Sequence, residues 1–265
     1  NQGMTLAEFR QIFWFEYLHR MLGRLIGVMF FIPLMVFLWM GKVRASLKPH
    51  LFALLFLGGC QGLMGWYMVQ SGLVDRPDVS QYRLTAHLGL AIAIYGYIVW
   101  LTIGLFSRER QRKEAAARSV FSIIGLVYLM ILSGGFVAGT NAGLSFPTWP
   151  LMGDSFIPPA LYRNGVTSAF EQVTTIHFNH RMLAYLTGAV LITAAVRGLL
   201  QSTDRRLKLA SALMLTAVCF QIVLGISTVL SHVDLTIAAG HQSGAVVLLT
   251  TVLFWVHVFS TESAD

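Results

Sequence analysis

The sequence predicts an all-α protein that crosses a membrane several times, and three observations carry that prediction. Hydrophobic residues fill 55% of the 265 positions, charged residues only 12%, and the mean hydropathy is +0.66. Soluble domains are about twice as rich in charge. Seven apolar runs, at roughly 17–40, 51–70, 84–106, 119–138, 175–199, 207–230 and 236–259, reach the ~20 residues that a helix needs to span a bilayer. None of them alternates with the period of two that a membrane-barrel strand requires.

The connecting segments sort by charge. The formal charge of +7 could suggest nucleic acid, but the basic residues lie in short loops, where they act as topology signals, so no nucleic-acid partner is expected. The first loop holds Lys42, Arg44 and Lys48; the third holds Arg108, Arg110, Arg112, Lys113 and Arg118; the fifth holds Arg197, Arg205, Arg206 and Lys208. The loops between them carry Asp75, Arg76 and Asp78, then a long stretch with Arg163 alone, then Asp234. The positive-inside rule puts the basic loops and the C-terminus on the cytoplasmic or matrix side of a bacterial or mitochondrial inner membrane. Cys60 and Cys219 fall inside apolar runs, which argues against a loop disulfide.

A repeat organises the runs. His19-Arg20-Met21-Leu22 returns letter for letter as His180-Arg181-Met182-Leu183, each copy where a polar segment gives way to an apolar one. Gln61-x-x-x-Gly65 and then His87 follow the first copy, while Gln221-x-x-x-Gly225 and then His241 follow the second. The steps between these landmarks match closely: 42 and 41 residues to the glutamine, then 26 and 20 to the next histidine. This is the pattern of a duplicated membrane unit, in which runs one to three repeat in parallel as runs five to seven. The fourth run has no counterpart, so a helix preceding residue 1 is expected, giving two pseudo-symmetric four-helix halves with the first incomplete. The expected division is 1–106, a basic linker at 107–118, and 119–265.

Four histidines in a duplicated register, all expected near the outer ends of their helices, suit two six-coordinate haems, since each iron takes one imidazole from either side of the ring. The pairs are His19 with His87 and His180 with His241. Lone histidines near helix ends usually make ordinary hydrogen bonds, and His50, His232 and His257, lacking repeat partners, are expected as loop or interface residues. His177 precedes His180 by three positions and is a weaker ligand candidate. Glu16 precedes His19 by three residues and shares its helical face, whereas His177 holds the matching place in the second copy. Only the first site therefore has a carboxylate able to move a proton, so the first site is expected to do chemistry and the second to hold an electron-transfer haem. A simple i,i+4 pair between Glu16 and Arg20 is the plainer alternative, and compatible with it. Arg20, Arg24, Arg83 and Arg181 are candidate propionate contacts, with headgroup contact the competing role. The glycines Gly58, Gly59, Gly62 and Gly65, and Gly134, Gly135 and Gly139, read first as packing faces. The stretch 141–154, between the fourth and fifth runs, is a candidate cap over one site.

Several motifs together resemble haem A synthase: Glu16-x-x-His19-Arg20, the stretch Val79 to Gly89, Gly135-Phe136-Val137-Ala138-Gly139-x-x-Ala142-Gly143-Leu144, Pro150 to Asp154, Phe178-Asn179-His180-Arg181, Leu224 to Thr228, and Ala239 to Gly244. The resemblance covers nearly the whole chain and is nearest the mitochondrial and alphaproteobacterial branch; the outer-loop cysteine pairs of another branch are absent. It implies eight helices in two four-helix halves and oxidation of the C8 methyl of haem O to the formyl of haem A by successive hydroxylations, for terminal oxidases. Carried over by position, it implies that His19 and His87 flank the substrate haem, that His180 and His241 ligate haem b, and that Glu16 is the catalytic carboxylate. Haem O synthase, oxidase assembly factors and a redox partner would be its associates. A diheme electron-transfer cytochrome b and a haem-carrying assembly factor are the alternatives, and Glu16 beside one site only favours the enzyme.

Overall fold

A computed structural model describes residues 5–70, 79–107 and 114–261, the side chains at 8, 11, 12 and 114–119 excepted. Among the described residues the long elements are all helices, and seven are long and apolar enough to cross a membrane. The chain is a multi-pass membrane protein by that measure. The loop residues Asp75, Arg76 and Asp78, the linker residues Arg108, Arg110, Arg112 and Lys113, and the side chain of Arg118 lie outside what is described. Residues 1–83 and 84–265 form two compact units.

In the first unit, α1 (Leu6–Trp39) packs on α2 (Lys48–Val69). α1 begins eleven residues before the expected apolar run. Hydropathy marks the part of a helix that crosses lipid, not the part that is helical. The extra turns carry Phe9, Phe13, Trp14 and Tyr17, whose rings meet at centroid distances of 5.8–6.1 Å, as suits a helix passing through a membrane interface. Pro33 sits within α1 without ending it, a tolerance common in membrane helices. Gly41, at φ +66°, turns the chain after α1, and Pro49 opens α2, where its missing N–H costs nothing.

The second unit holds most of α3 (Gln81–Phe106), with α4 (Glu114–Gly139), the short α5 (Ser168–Glu171), α6 (Val173–Gln201), α7 (Arg205–Leu230) and α8 (Leu235–Ser260). α4 packs on α6 and α8, and α7 packs on the same two. The four close into a ring with α6 and α8 at opposite corners. Asp204 caps α7 by accepting from the Arg206 N–H, and Asp234 caps α8 by accepting from the N–H groups of Thr236 and Ile237. α3 joins the ring through Tyr95, whose hydroxyl lies 2.7 Å from that of Thr250 on α8, and through Thr85 and Leu88, which meet Gly135 of α4.

The apolar core is not spread evenly along the ring. Leu191 and Ala195 of α6, Leu207, Ala210, Met214 and Val218 of α7, and Leu248 to Val256 of α8 form it with Val127 of α4. These positions follow the histidines of α6 and α8 by seven residues or more, or precede Gln221 on the antiparallel α7. The core therefore fills one end, and the histidines occupy the other. At the core end the Trp255 indole N–H donates to Ser211 Oγ at 2.9 Å, and His257 Nε2 lies 2.9 Å from Ser107 Oγ. His257 thus lies buried in the last turn of α8 and not in a loop, with a hydroxyl partner at Nε2. Gly198 is where α6 crosses these groups: an added Cβ would run into Ser211 Oγ and lie 3.3 Å from the Trp255 indole nitrogen. Gly198→Val is expected to lower stability by about 1–3 kcal/mol through overpacking, read as a fall in the thermal midpoint of the detergent-purified protein. Gly23→Val, where an added Cβ meets nothing within 4 Å, serves as the control.

Candidate functional site

His180 and His241 come from the opposite corners of the ring, on α6 and α8, six or seven residues after each helix begins. Both are half-buried. Each ring faces a glycine on a neighbouring helix: a Cβ on Gly134 of α4 would lie 3.4 Å from His180 Cε1, and one on Gly225 of α7 would lie 2.9 Å from His241 Cε1. The repeated glutamine-glycine pair thereby gains a reason: Gly225 makes room for the ring. Gln221, one turn earlier, approaches the same histidine, its amide donating to the His241 carbonyl at 2.9 Å and lying 3.2 Å from Nδ1. Gln221 Oε1 is buried without a hydrogen-bond partner.

His180 has a different neighbour, one that the sequence did not mark. Ser133 Oγ of α4 lies 2.8 Å from His180 Nδ1. A single serine in an apolar run carries no signal of its own; only the crossing of α4 and α6 brings it to the ring.

His177 and Arg181 form a separate group on the adjoining face of α6. His177 is 2% exposed and Arg181 7%. The guanidinium donates to His177 Nε2 at 3.1 Å and to the carbonyls of Leu151 at 3.1 Å, Phe146 at 3.0 Å and Thr148 at 2.7 Å. Four of its five N–H donors are so engaged. Arg181, a candidate propionate contact, clasps the segment between α4 and α6. That segment is ordered throughout: a 3-10 turn at Ala142–Leu144, a bridge between Met152 and Ser155, and a second 3-10 turn at Gly165–Thr167. Tyr162 donates to Asn179 Oδ1 at 3.1 Å, and Phe156 stacks on Tyr185 with centroids 6.3 Å apart. The stretch expected as a cap therefore lies across the first turns of α6, at the histidine end of the ring.

In the first unit, Glu16, His19, Arg20 and Arg24 follow one another along α1, all exposed. Arg20 pairs with Glu16 across one turn, the plainer of the two readings of that carboxylate, and Arg24 Nη1 approaches Met21 Sδ at 3.8 Å. Arg83 donates to the Tyr67 carbonyl at 2.8 Å and lies 3.8 Å over the Tyr67 ring, a cation–π contact. His87 belongs to the second unit, half-buried on α3 two residues beyond the buried Thr85.

A sequence model of the family described as cytochrome oxidase assembly protein matches residues 1–253. Similar curated proteins are named haem A synthase. That of Nitrosospira multiformis is 46% identical over 97% of this chain and 74% of its own length. Those of Nitrosomonas eutropha and Paramagnetospirillum magneticum are 43% and 42% identical over the same shares.

Arg181→Ala would remove a donor from the carbonyls of Phe146, Thr148 and Leu151, that of Leu151 keeping the Thr148 hydroxyl; a buried acceptor left unpaired costs about 1–3 kcal/mol. The expected result is faster hydrogen exchange across 146–152, measured by mass spectrometry, with α7 unchanged.

Proposed function

The chain belongs to the cytochrome oxidase assembly protein family, and from that premise we propose that it is a haem A synthase: a membrane oxidoreductase that takes haem O as substrate and converts its C8 methyl to a formyl group. One observation carries the reading, the near-full-length likeness to proteins of that name. The residues of the second unit suit a resident haem b. Two imidazoles stand on diagonal helices, a glycine faces each ring, and the packed core lies at the far end. His180 and His241 would hold the iron, and the bound haem would supply one-electron transfer.

His19 and His87 are the proposed flanking ligands of the substrate haem, supported by their register with the second pair. Glu16 is the proposed catalytic carboxylate. It shares its helical face with His19, so it can accept a proton released as the methyl carbon is oxidised, or stabilise positive charge developing there. Its pairing with Arg20 holds the carboxylate in one orientation while leaving it a second oxygen. Arg20, Arg24, Arg83 and Arg181 are the proposed propionate contacts, Arg181 also holding the capping segment. The two haems define an N-terminal substrate half, 1–106, and a C-terminal haem b half, 119–265. Both sites lie near the periplasmic or intermembrane-space face, with the C-terminus on the cytoplasmic or matrix side. Haem O synthase, oxidase assembly factors and an electron-transfer protein are the proposed partners in the membrane.

Glu16→Ala is expected to keep the haem b spectrum and to lose haem O conversion by about 100-fold or more, measured by chromatography of extracted haems after co-expression with a haem O synthase. Haem A at wild-type yield would remove Glu16 from the mechanism. His180→Ala and His241→Ala are each expected to abolish the low-spin haem b absorption, and its persistence in both would sink the second-site assignment.

A further inference from the structure

The two imidazoles of the second unit are not held alike. A serine hydroxyl has one proton to give and two lone pairs to offer. Ser133 Oγ lies 2.7 Å from the Met130 carbonyl, which can only accept, so the proton goes there. Towards His180 Nδ1, at 2.8 Å, the same oxygen must then act as acceptor. The hydrogen of a neutral His180 ring therefore sits on Nδ1, and the Nε2 lone pair is left available. Gly134, the next residue of α4, faces the same ring: an added Cβ there would lie 3.4 Å from His180 Cε1. His241 has no such acceptor at Nδ1: the Gln221 amide nitrogen faces it, and the accepting Oε1 has no partner.

We propose that Ser133 is a positioning residue of the C-terminal haem site, holding His180 in the Nδ1–H form with Nε2 presented to the iron. The proposal rests on the reading of His180 as a haem ligand. An imidazole that donates its other N–H to an oxygen is a more basic ligand in a fixed orientation. His180 is then the stronger donor of the pair, and Ser133 tunes the haem through it without touching iron.

The test compares Ser133→Ala, Ser133→Cys and Ser133→Thr in the full chain with haem b bound, alongside His180→Ala. Ser133→Ala is expected to weaken haem binding by about 10–100-fold, measured by haem titration of the depleted protein. It is also expected to move the haem b midpoint potential in the positive direction, because a weaker donor favours the ferrous state. The low-spin electron paramagnetic resonance g-values should shift as the ring gains freedom to rotate. Ser133→Cys, nearly isosteric but a poor acceptor, should move the potential in the same direction if the alanine variant does not fold. Ser133→Thr, which keeps the hydroxyl, should restore potential and spectrum. Wild-type potential and g-values in both the alanine and cysteine variants would overturn the role of Ser133. Wild-type haem b in His180→Ala would instead overturn the ligand reading beneath it, so the two failures are distinguishable.

Discussion

A nitrogen-bearing ring inside an apolar helix bundle must find partners for its polar atoms, because leaving them unpaired costs several kcal/mol. That constraint shapes the histidine end of the second unit. His180 is met by Ser133, His241 by Gln221, and His177 by Arg181. Each partner sits on a neighbouring helix or one turn away, so the polar requirement fixes how α4, α6, α7 and α8 approach one another. It also explains Gly225: beside a ring already approached by Gln221, an added Cβ would come within 2.9 Å of His241 Cε1, whereas one at Gly134 would only touch His180.

The same constraint separates the bundle into two regimes. Away from the histidines the helices interlock through fully buried leucines, valines and Met214, and Trp255 pairs there with Ser211. At the histidine end fewer apolar side chains are fully buried, and polar contacts do more of the fixing. An apolar core gathered at the far end suits a bundle proposed to hold a large flat ligand between its helices. Stability and ligand access are then assigned to different ends of the same four helices.

Arg181 links that upper level to the segment above it. A guanidinium turned toward backbone carbonyls supplies donors to an irregular segment that has few of its own, and it does so one residue after the proposed ligand His180. The capping segment and the ligand thus share one helix turn. In the first unit, by contrast, the corresponding arginine pairs with Glu16. Two copies of one tetrapeptide have been given different work by what stands three residues upstream of the histidine.

Hydropathy determined the number of apolar helices and, the start of α1 apart, their approximate ends, and the repeat set His19, Gln61 and His87 in register with His180, Gln221 and His241. These signals are periodic or duplicated, so each element reports on itself without reference to its neighbours. The sequence did not show the buried partner of His257 or the backbone acceptors of Arg181, and it passed over Ser133 entirely. Those three depend on which residue from another helix or loop arrives opposite: Ser107 for His257, the carbonyls of 146–151 for Arg181, and His180 for Ser133. A hydrogen bond between helices has no period along the chain, so only the packed bundle could decide it.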